Sequence, residues 1–325
     1  MVYDIDWIDA LYPNDREEFH HPDGWFEELS PEIAVSAHEN MQWLVEGWLP
    51  IGYVAVLGGE PKSGKTSLAT ALGFAVAGGQ PFAGMACPPG AVLWCAYEEN
   101  RVERHLYLRH APAGLPFFTT YRCPWIDTRK GLMVLEHWIH KTNARLLVID
   151  SLHGSVRGNA LAENGPARRT MVGLKSLATQ YACTVLCLHH LTKSQSRGVA
   201  PDRFADSVQI LATSSMHLHL DVEPTETGRR VILTGTGRGP WAEQTLELES
   251  EGLLDYRLAA PRAELGTLET AILAALREKE DTSVGLAERT GYDLRHVRNT
   301  LTGMLRRGLV ASPSSTVRNR TFCVG

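Results

Sequence analysis

The sequence contains no CxxC pair. Its six cysteines (Cys87, Cys95, Cys123, Cys183, Cys187 and Cys323) are scattered, which argues against a zinc site and a disulfide scaffold and predicts a reducing, cytoplasmic setting. Long hydrophobic runs are also missing. The longest, Ala91 to Tyr97, is far too short to cross a bilayer, so no membrane partner is expected. The N-terminus lacks the basic–apolar–small pattern of a secretory signal. Bases are almost absent from residues 1–50, where twelve acids face only Arg16, a net charge of -11. The whole chain carries -5, so the other 275 residues are +6. A mildly basic body permits a nucleic-acid partner without requiring one. The acidic leader, residues 1–42, reads as a solvated tail or as a strip over a basic groove or a neighbouring subunit. At 44% hydrophobic and 21% charged residues, the chain is not wholesale disordered, and its length suggests about two domains.

Apolar runs without alternation at Val54–Leu57, Ala91–Tyr97, Leu146–Ile149 and Thr184–Leu188, with a shorter one at Phe117–Tyr121, predict buried strands. Helical spacing separates them: Leu68, Ala71, Leu72, Ala75 and Val76; Arg101–Arg109; Leu132, Leu135, Trp138 and Ile139; Met171, Leu174, Leu177 and Ala178. Such alternation predicts an α/β fold with a mostly parallel sheet covered on both faces. Met216–Val222, Arg230–Thr236 and Thr245–Leu248 alternate more and read as antiparallel edge strands. Residues 259–266 (AAPRAELG) read as a linker.

Gly59-Glu60-Pro61-Lys62-Ser63-Gly64-Lys65-Thr66 matches GxxxxGK[ST] in full, after an apolar strand and before a helix, with Ser67 next. Glycines let the backbone wrap a polyphosphate, and amides at the helix start point at it. Lys65 would reach the β- and γ-phosphates of ATP, and the Thr66 hydroxyl would ligate Mg²⁺. Asp150, ending the apolar run RLLVID, is the expected second carboxylate for that ion. Glu98 and Glu99 follow the Ala91–Tyr97 run. Glu98 is the preferred general base and Glu99 the alternative, against a pair of solvated acids starting a helix. His189-His190 reads as a core pair or half a metal site, but no further ligands stand at metal spacing. His217 and His219 read as surface histidines.

These residues, in this order, resemble the RecA-like P-loop ATPases of the plasmid RepA-type hexameric replicative helicases and the broader ATPase family grouped with them. The resemblance runs from about Trp43 to Pro240. It includes WLVEGWLP, VLWCAYEEN, RLLVIDSL, the ENG helix start and, most discriminating, VLCLHHLTKS. It implies a RecA-like domain over 43–258, with Glu98 as catalytic glutamate and His190 as the residue that senses the γ-phosphate. It also implies a homo-oligomer, a hexamer, with ATP between subunits and Arg238 as an arginine finger from the neighbour. Thr236 replaces the lysine usual in that K-x-R pattern. Single-stranded DNA would meet Arg157, Arg168, Arg169, Lys193, Arg197 and Arg203 in loops facing a central channel, as backbone-tracking cations. A primase or an initiator would be a partner.

Residues 267–325 have a different texture. Leu268, Ile272, Leu273 and Leu276 predict one helix, Ser283–Arg289 a second, and Asp293 caps a third that runs through Arg307. Gly308–Val310 and Thr316–Val324 read as a hairpin, completing the outline of a winged helix-turn-helix. Arg295, Arg298, Arg306 and Arg307 on the third helix, with Arg318 and Arg320 on the wing, suit duplex DNA. The alternative is a module for protein contacts. The expected function is an ATP-driven, ring-forming helicase on single-stranded DNA. The alternatives are an ATP-switched DNA-binding regulator or initiator, and a recombination or repair ATPase.

Overall fold

A computed structural model describes residues 41–190, 208–225, 228–238, 244–259, 267–306, 309–312 and 321–324. They fall into two compact units that part after Leu258.

The first unit is built on one nine-stranded sheet. Its strands are β3 (Val54–Gly59), β4 (Ala91–Ala96), β5 (Phe117–Thr120), β6 (Ala144–Asp150), β7 (Thr184–His190), β8 (Met216–Pro224), β9 (Arg229–Gly237), β10 (Thr245–Ser250) and β11 (Arg257–Leu258). The order across the sheet is β11-β10-β9-β8-β3-β7-β6-β4-β5. A small antiparallel pair, β1 (Trp43–Val45) and β2 (Leu49–Pro50), precedes it.

From β5 to β8 every neighbouring pair is parallel. This corrects one expectation: β8 is antiparallel only to β9 and runs parallel to β3. Its first five residues sit inside the sheet, four of them buried, and only the tail from Asp221 turns to solvent. The alternation that suggested an edge strand comes from that outer half.

Helix α1 (Lys65–Gly78) covers one face of the sheet, together with α2 (Arg101–Leu108). Leu68, Leu72 and Val76 of α1 share a buried cluster with Trp94, Val148 and Leu188. The other face is covered by α3 (Arg129–Thr142) and α4 (Asn164–Gln180), whose Leu135, Ile139, Met171 and Leu174 join Leu147, Ile149 and Val185. Each fully buried aliphatic side chain contributes roughly 1.5–3 kcal/mol. The strands carry large apolar residues on both sides because both faces are covered. A short α5 (Val208–Thr213) leads into β8.

The second unit holds α6 (Thr267–Glu278), α7 (Ser283–Thr290) and α8 (Leu294–Arg306), with a three-stranded sheet in the order β12-β14-β13. Those strands are Asp281–Thr282, Thr321–Val324 and Val310–Ala311. Thr282 caps α7, Gly291 ends it, and Leu273, Leu286, Leu301 and Phe322 form the core. The leader residues 1–40 and the linker residues 260–266 lie outside the described residues.

Candidate functional site

Register gathers the candidate residues at one edge. Ala96 pairs with Asp150, Asp150 with Leu188, and Gly59 with His190. The chain therefore leaves β3, β4, β6 and β7 at nearly the same level. In an open parallel sheet this carboxyl edge is where ligands bind.

The loop from Gly59 to Thr66 wraps the start of α1. Gly64 has φ +93°, a left-handed conformation that glycine adopts without strain. A Cβ on Gly59 would stand 2.8 Å from Ser63 Oγ and 3.2 Å from the Leu220 carbonyl oxygen, so a larger residue would press on the loop. Ser63 Oγ is enclosed and has no partner among the described residues. The Lys65 ammonium donates to the carbonyls of Gly59 at 3.0 Å and Glu60 at 2.9 Å. Its third proton is left for a phosphate oxygen. Burial pushes Lys65 below its ordinary pKa, against the pull of Asp150 and Glu98.

The Thr66 hydroxyl donates to Asp150 Oδ2 at 2.9 Å. Burial holds the Asp150 carboxyl up to about 7; the Thr66 hydroxyl opposes this, Glu99 and Glu98 add to it, and Arg104 opposes it. Hydroxyl and carboxylate oxygens side by side suit a hard divalent cation. Enclosed donors, the lysine and this oxygen pair together fit a magnesium–polyphosphate.

The two glutamates face different ways. Glu98 Oε1 accepts from the Ser151 hydroxyl, and Glu98 Oε2 meets His190 Nε2 at 3.1 Å. Burial raises the Glu98 carboxyl, but Ser151, His190 and Lys65 outweigh it and leave it below the usual range. Glu99 points inward and pairs with Arg104; burial raises its carboxyl. His189, by contrast, is buried within the sheet. Among the described residues no cluster of three or more His, Cys, Asp or Glu could hold a metal.

The other expected residues are distributed differently. Ser67 is buried, and its hydroxyl donates to the Leu253 carbonyl, so its side chain anchors α1 and is not offered to the loop. Arg238 sits at the opposite end of β9, where Gly237 pairs with Met216, and its guanidinium donates to Ala212 O at 2.6 Å. Arg157, Arg168 and Arg169 are exposed. Arg157 donates to Asp127 at 2.9 Å and shares a shallow polar cleft with Arg169 and Glu163. Lys193, Arg197 and Arg203 lie outside the described residues, as do Arg307, Arg318, Arg320 and the side chain of Arg306. Arg295 and Arg298 are exposed on α8. The two later histidines are not on the surface. His219 is buried against Asp221 at 3.1 Å, and His217 is half-buried and hydrogen-bonded to Leu211 O and Ser214.

Two contributors gave no sequence signal as a pattern. Ser151 directly follows Asp150, and only that place in the chain hinted at it. Arg229 begins β9, and its Nη1 would lie 3.0 Å from a Cβ on Gly64. It is held there by Tyr256, whose hydroxyl in turn donates to Ser67. A second cation therefore stands beside the phosphate loop.

The fold and this edge define a RecA-like P-loop ATPase. Residues 16–196 match the AAA_25 family, described as an AAA domain, and the chain belongs to that family. Among solved structures, a KaiC-like protein from hyperthermophilic archaea, Pyrococcus horikoshii OT3, is similar at 17% identity and a TM-score of 0.44, over 67% of this chain and 94% of that one. The flagellar accessory protein FlaH of Methanocaldococcus jannaschii is similar at 11% identity and a TM-score of 0.45, over 65% and 91%. No curated protein matches the sequence. No helix among the described residues is long and apolar enough to cross a membrane.

Proposed function

We propose that this ATPase is a ring-forming DNA translocase of the RepA type, hydrolysing Mg-ATP between subunits while it holds single-stranded DNA. The contact of Glu98 with His190 carries the reading. It joins the acid that would activate water to the last residue before 191–207, the stretch with Lys193, Arg197 and Arg203. A change at the γ-phosphate would thereby reach cations suited to a nucleic-acid backbone.

Each residue has a role in this reading. Lys65 and the loop amides bind the phosphates. Thr66 and Asp150 would hold Mg²⁺, which supplies charge neutralisation at the phosphate oxygens. Glu98, kept ionised and oriented by Ser151, takes the proton of the attacking water. Arg238 reaches the site of the neighbouring subunit, and Arg157, Arg168 and Arg169 border the DNA path.

ATP turnover without DNA, with single strands and with duplex, using Lys65→Ala as blank, tests this. Stimulation by single strands and unwinding of a forked duplex are expected. A rate indifferent to single strands would remove the translocase.

One observation favours a second reading. Helix α8 turns Arg295, His296, Arg298 and Asn299 outward together, as the recognition helix of a winged helix would. In that reading ATP switches a duplex-binding regulator or initiator. Turnover raised only by duplex, and duplex binding lost in Arg295→Ala/Arg298→Ala, would favour it.

A further inference from the structure

Helix α2 is built inside out. Val102 and Leu106 are 75% and 50% exposed, whereas Arg104 between them is fully buried. The guanidinium lies 3.7 Å over the ring of Trp94, itself buried on β4. Nη1 donates to Thr70 Oγ1 at 2.9 Å and to Glu99 Oε2 at 3.4 Å. Nε and Nη2 are enclosed without partners among the described residues. An enclosed guanidinium with unmatched donors is expensive, and a well-packed apolar side chain in its place would often be neutral or stabilising. Packing alone therefore gives no reason for an arginine here.

The connections of Nη1 do give one. Thr70 lies one turn along α1 from Thr66 and donates to the Thr66 carbonyl at 2.7 Å. Thr66 carries the hydroxyl beside Asp150. Glu99 is the chain neighbour of Glu98. A single buried nitrogen thus bridges the second turn of the phosphate helix and the strand end that bears the base. The start of α2 is itself fixed by a capping box between Asn100 and Glu103, so Arg104 projects from a firm base. With Glu99 drawn inward, only Glu98 is free to meet Ser151 and His190.

We propose that Arg104 is a positioning residue for ATP hydrolysis: it ties Glu99 to the phosphate helix and so presents Glu98 alone, at a fixed distance from Thr66. The inference rests on the ATPase reading, and the experiment separates the two. Steady-state ATP turnover, affinity for a fluorescent N-methylanthraniloyl-ADP, and thermal unfolding are measured for wild type, Lys65→Ala, Arg104→Met, Arg104→Lys and Thr70→Val. Wild-type turnover that Lys65→Ala abolishes secures the ATPase reading by itself, and its absence would remove that reading whatever Arg104 does. With turnover present, Arg104→Met is expected to lower kcat about 100-fold, the scale of a 1 Å misplacement. Its affinity for the ADP analogue stays within about threefold, because the loop amides and Lys65 are untouched. Arg104→Lys, which keeps a charge and donors, recovers kcat to within about tenfold of wild type. A folded Arg104→Met with wild-type kcat overturns the proposal. So does a rate loss matched by an equal loss of nucleotide affinity. Where Arg104→Met does not fold, Thr70→Val decides, since it keeps the shape and removes only the hydroxyl. A kcat about tenfold lower at unchanged affinity supports the positioning role, and an unchanged kcat overturns it.

Discussion

Glu98 and His190 meet at 3.1 Å although they come from strands that are not neighbours. Strand β6 lies between β4 and β7, and Asp150 ends it. The two side chains meet past that strand, and the Ser151 hydroxyl, next in the chain after Asp150, donates to Glu98. Ser151, Glu98 and His190 thus form one hydrogen-bonded chain beside the Asp150 carboxylate.

Glu98→Gln is expected to lower ATP turnover by about 100- to 1,000-fold with nucleotide binding retained, as for removal of a general base. His190→Ala is expected to act differently. It leaves the base in place and breaks its link to 191–207, so basal turnover falls only severalfold. Stimulation by single-stranded oligonucleotide is lost. Turnover with and without the oligonucleotide gives the ratio that distinguishes the two variants. An undiminished ratio in His190→Ala would remove the sensor role.

Glu98 is held below the ordinary carboxylate range even though burial alone would raise it, and the Ser151 hydroxyl is the leading opposing influence. Ser151→Ala removes that donor and lets burial prevail, so the pKa of the base rises. The acid limb of kcat/KM against pH, which reports the free enzyme, then moves to higher pH. A limb that stays in place, or moves down, would show that the Ser151 hydroxyl does not support the base.

Asp150 in its ionised form is a cost to folding. Its carboxyl titrates at about 7 in the folded chain against an ordinary 3.8. A raised carboxyl pKa means the folded state prefers the proton, so this group's contribution to stability falls as pH rises from about 4 to about 7. Above that window the ionised group costs up to about 4 kcal/mol at roughly 1.4 kcal/mol per unit. Asp150→Asn removes this penalty. It is expected to abolish turnover yet raise the unfolding temperature at pH 8, with the gain shrinking as pH falls. Calorimetry at pH 8 and pH 5.5 measures the difference.

Much of this site was legible as sequence because its parts end apolar strands. A P-loop after β3, Asp150 at the end of β6 and His190 at the end of β7 are marked by the change from buried strand to polar loop. Hydrophobic patterning was less informative where one strand serves two environments. The inner half of β8 lies between β3 and β9 and the outer half meets solvent, so its alternation resembles that of an edge strand. His219, read as a surface histidine, lies in that buried inner half. Arg104 was hidden for the opposite reason. Periodicity would turn Val102 and Leu106 inward and the arginine out, and the stack on Trp94 with the bonds to Thr70 and Glu99 reverses that choice. Arg229 reaches Gly64 only because β9 returns antiparallel to β8, a relationship that no local pattern encodes.

Arg238 and the phosphate loop lie at opposite ends of the same sheet. Gly59 pairs with Leu220 on β8, whereas Gly237, just before Arg238, pairs with Met216. Four residues of strand between those positions span about 13 Å at roughly 3.3 Å per residue. Arg238 also spends a donor on the Ala212 carbonyl at its own end. It is therefore far from its own chain's phosphate loop, and in the proposed head-to-tail ring it would serve a neighbour's nucleotide instead. Arg238→Ala and Lys65→Ala should each be inactive alone, because one lacks the finger and the other the phosphate lysine. Mixed one to one, they should recover activity, since an Arg238→Ala subunit keeps its loop and a Lys65→Ala neighbour supplies the arginine. Random assembly makes about a quarter of the interfaces competent, so turnover near a quarter of wild type is expected from the pooled protein if each interface acts alone. No recovery on mixing, with subunit exchange verified by a fluorescent label, would take Arg238 out of the catalytic set.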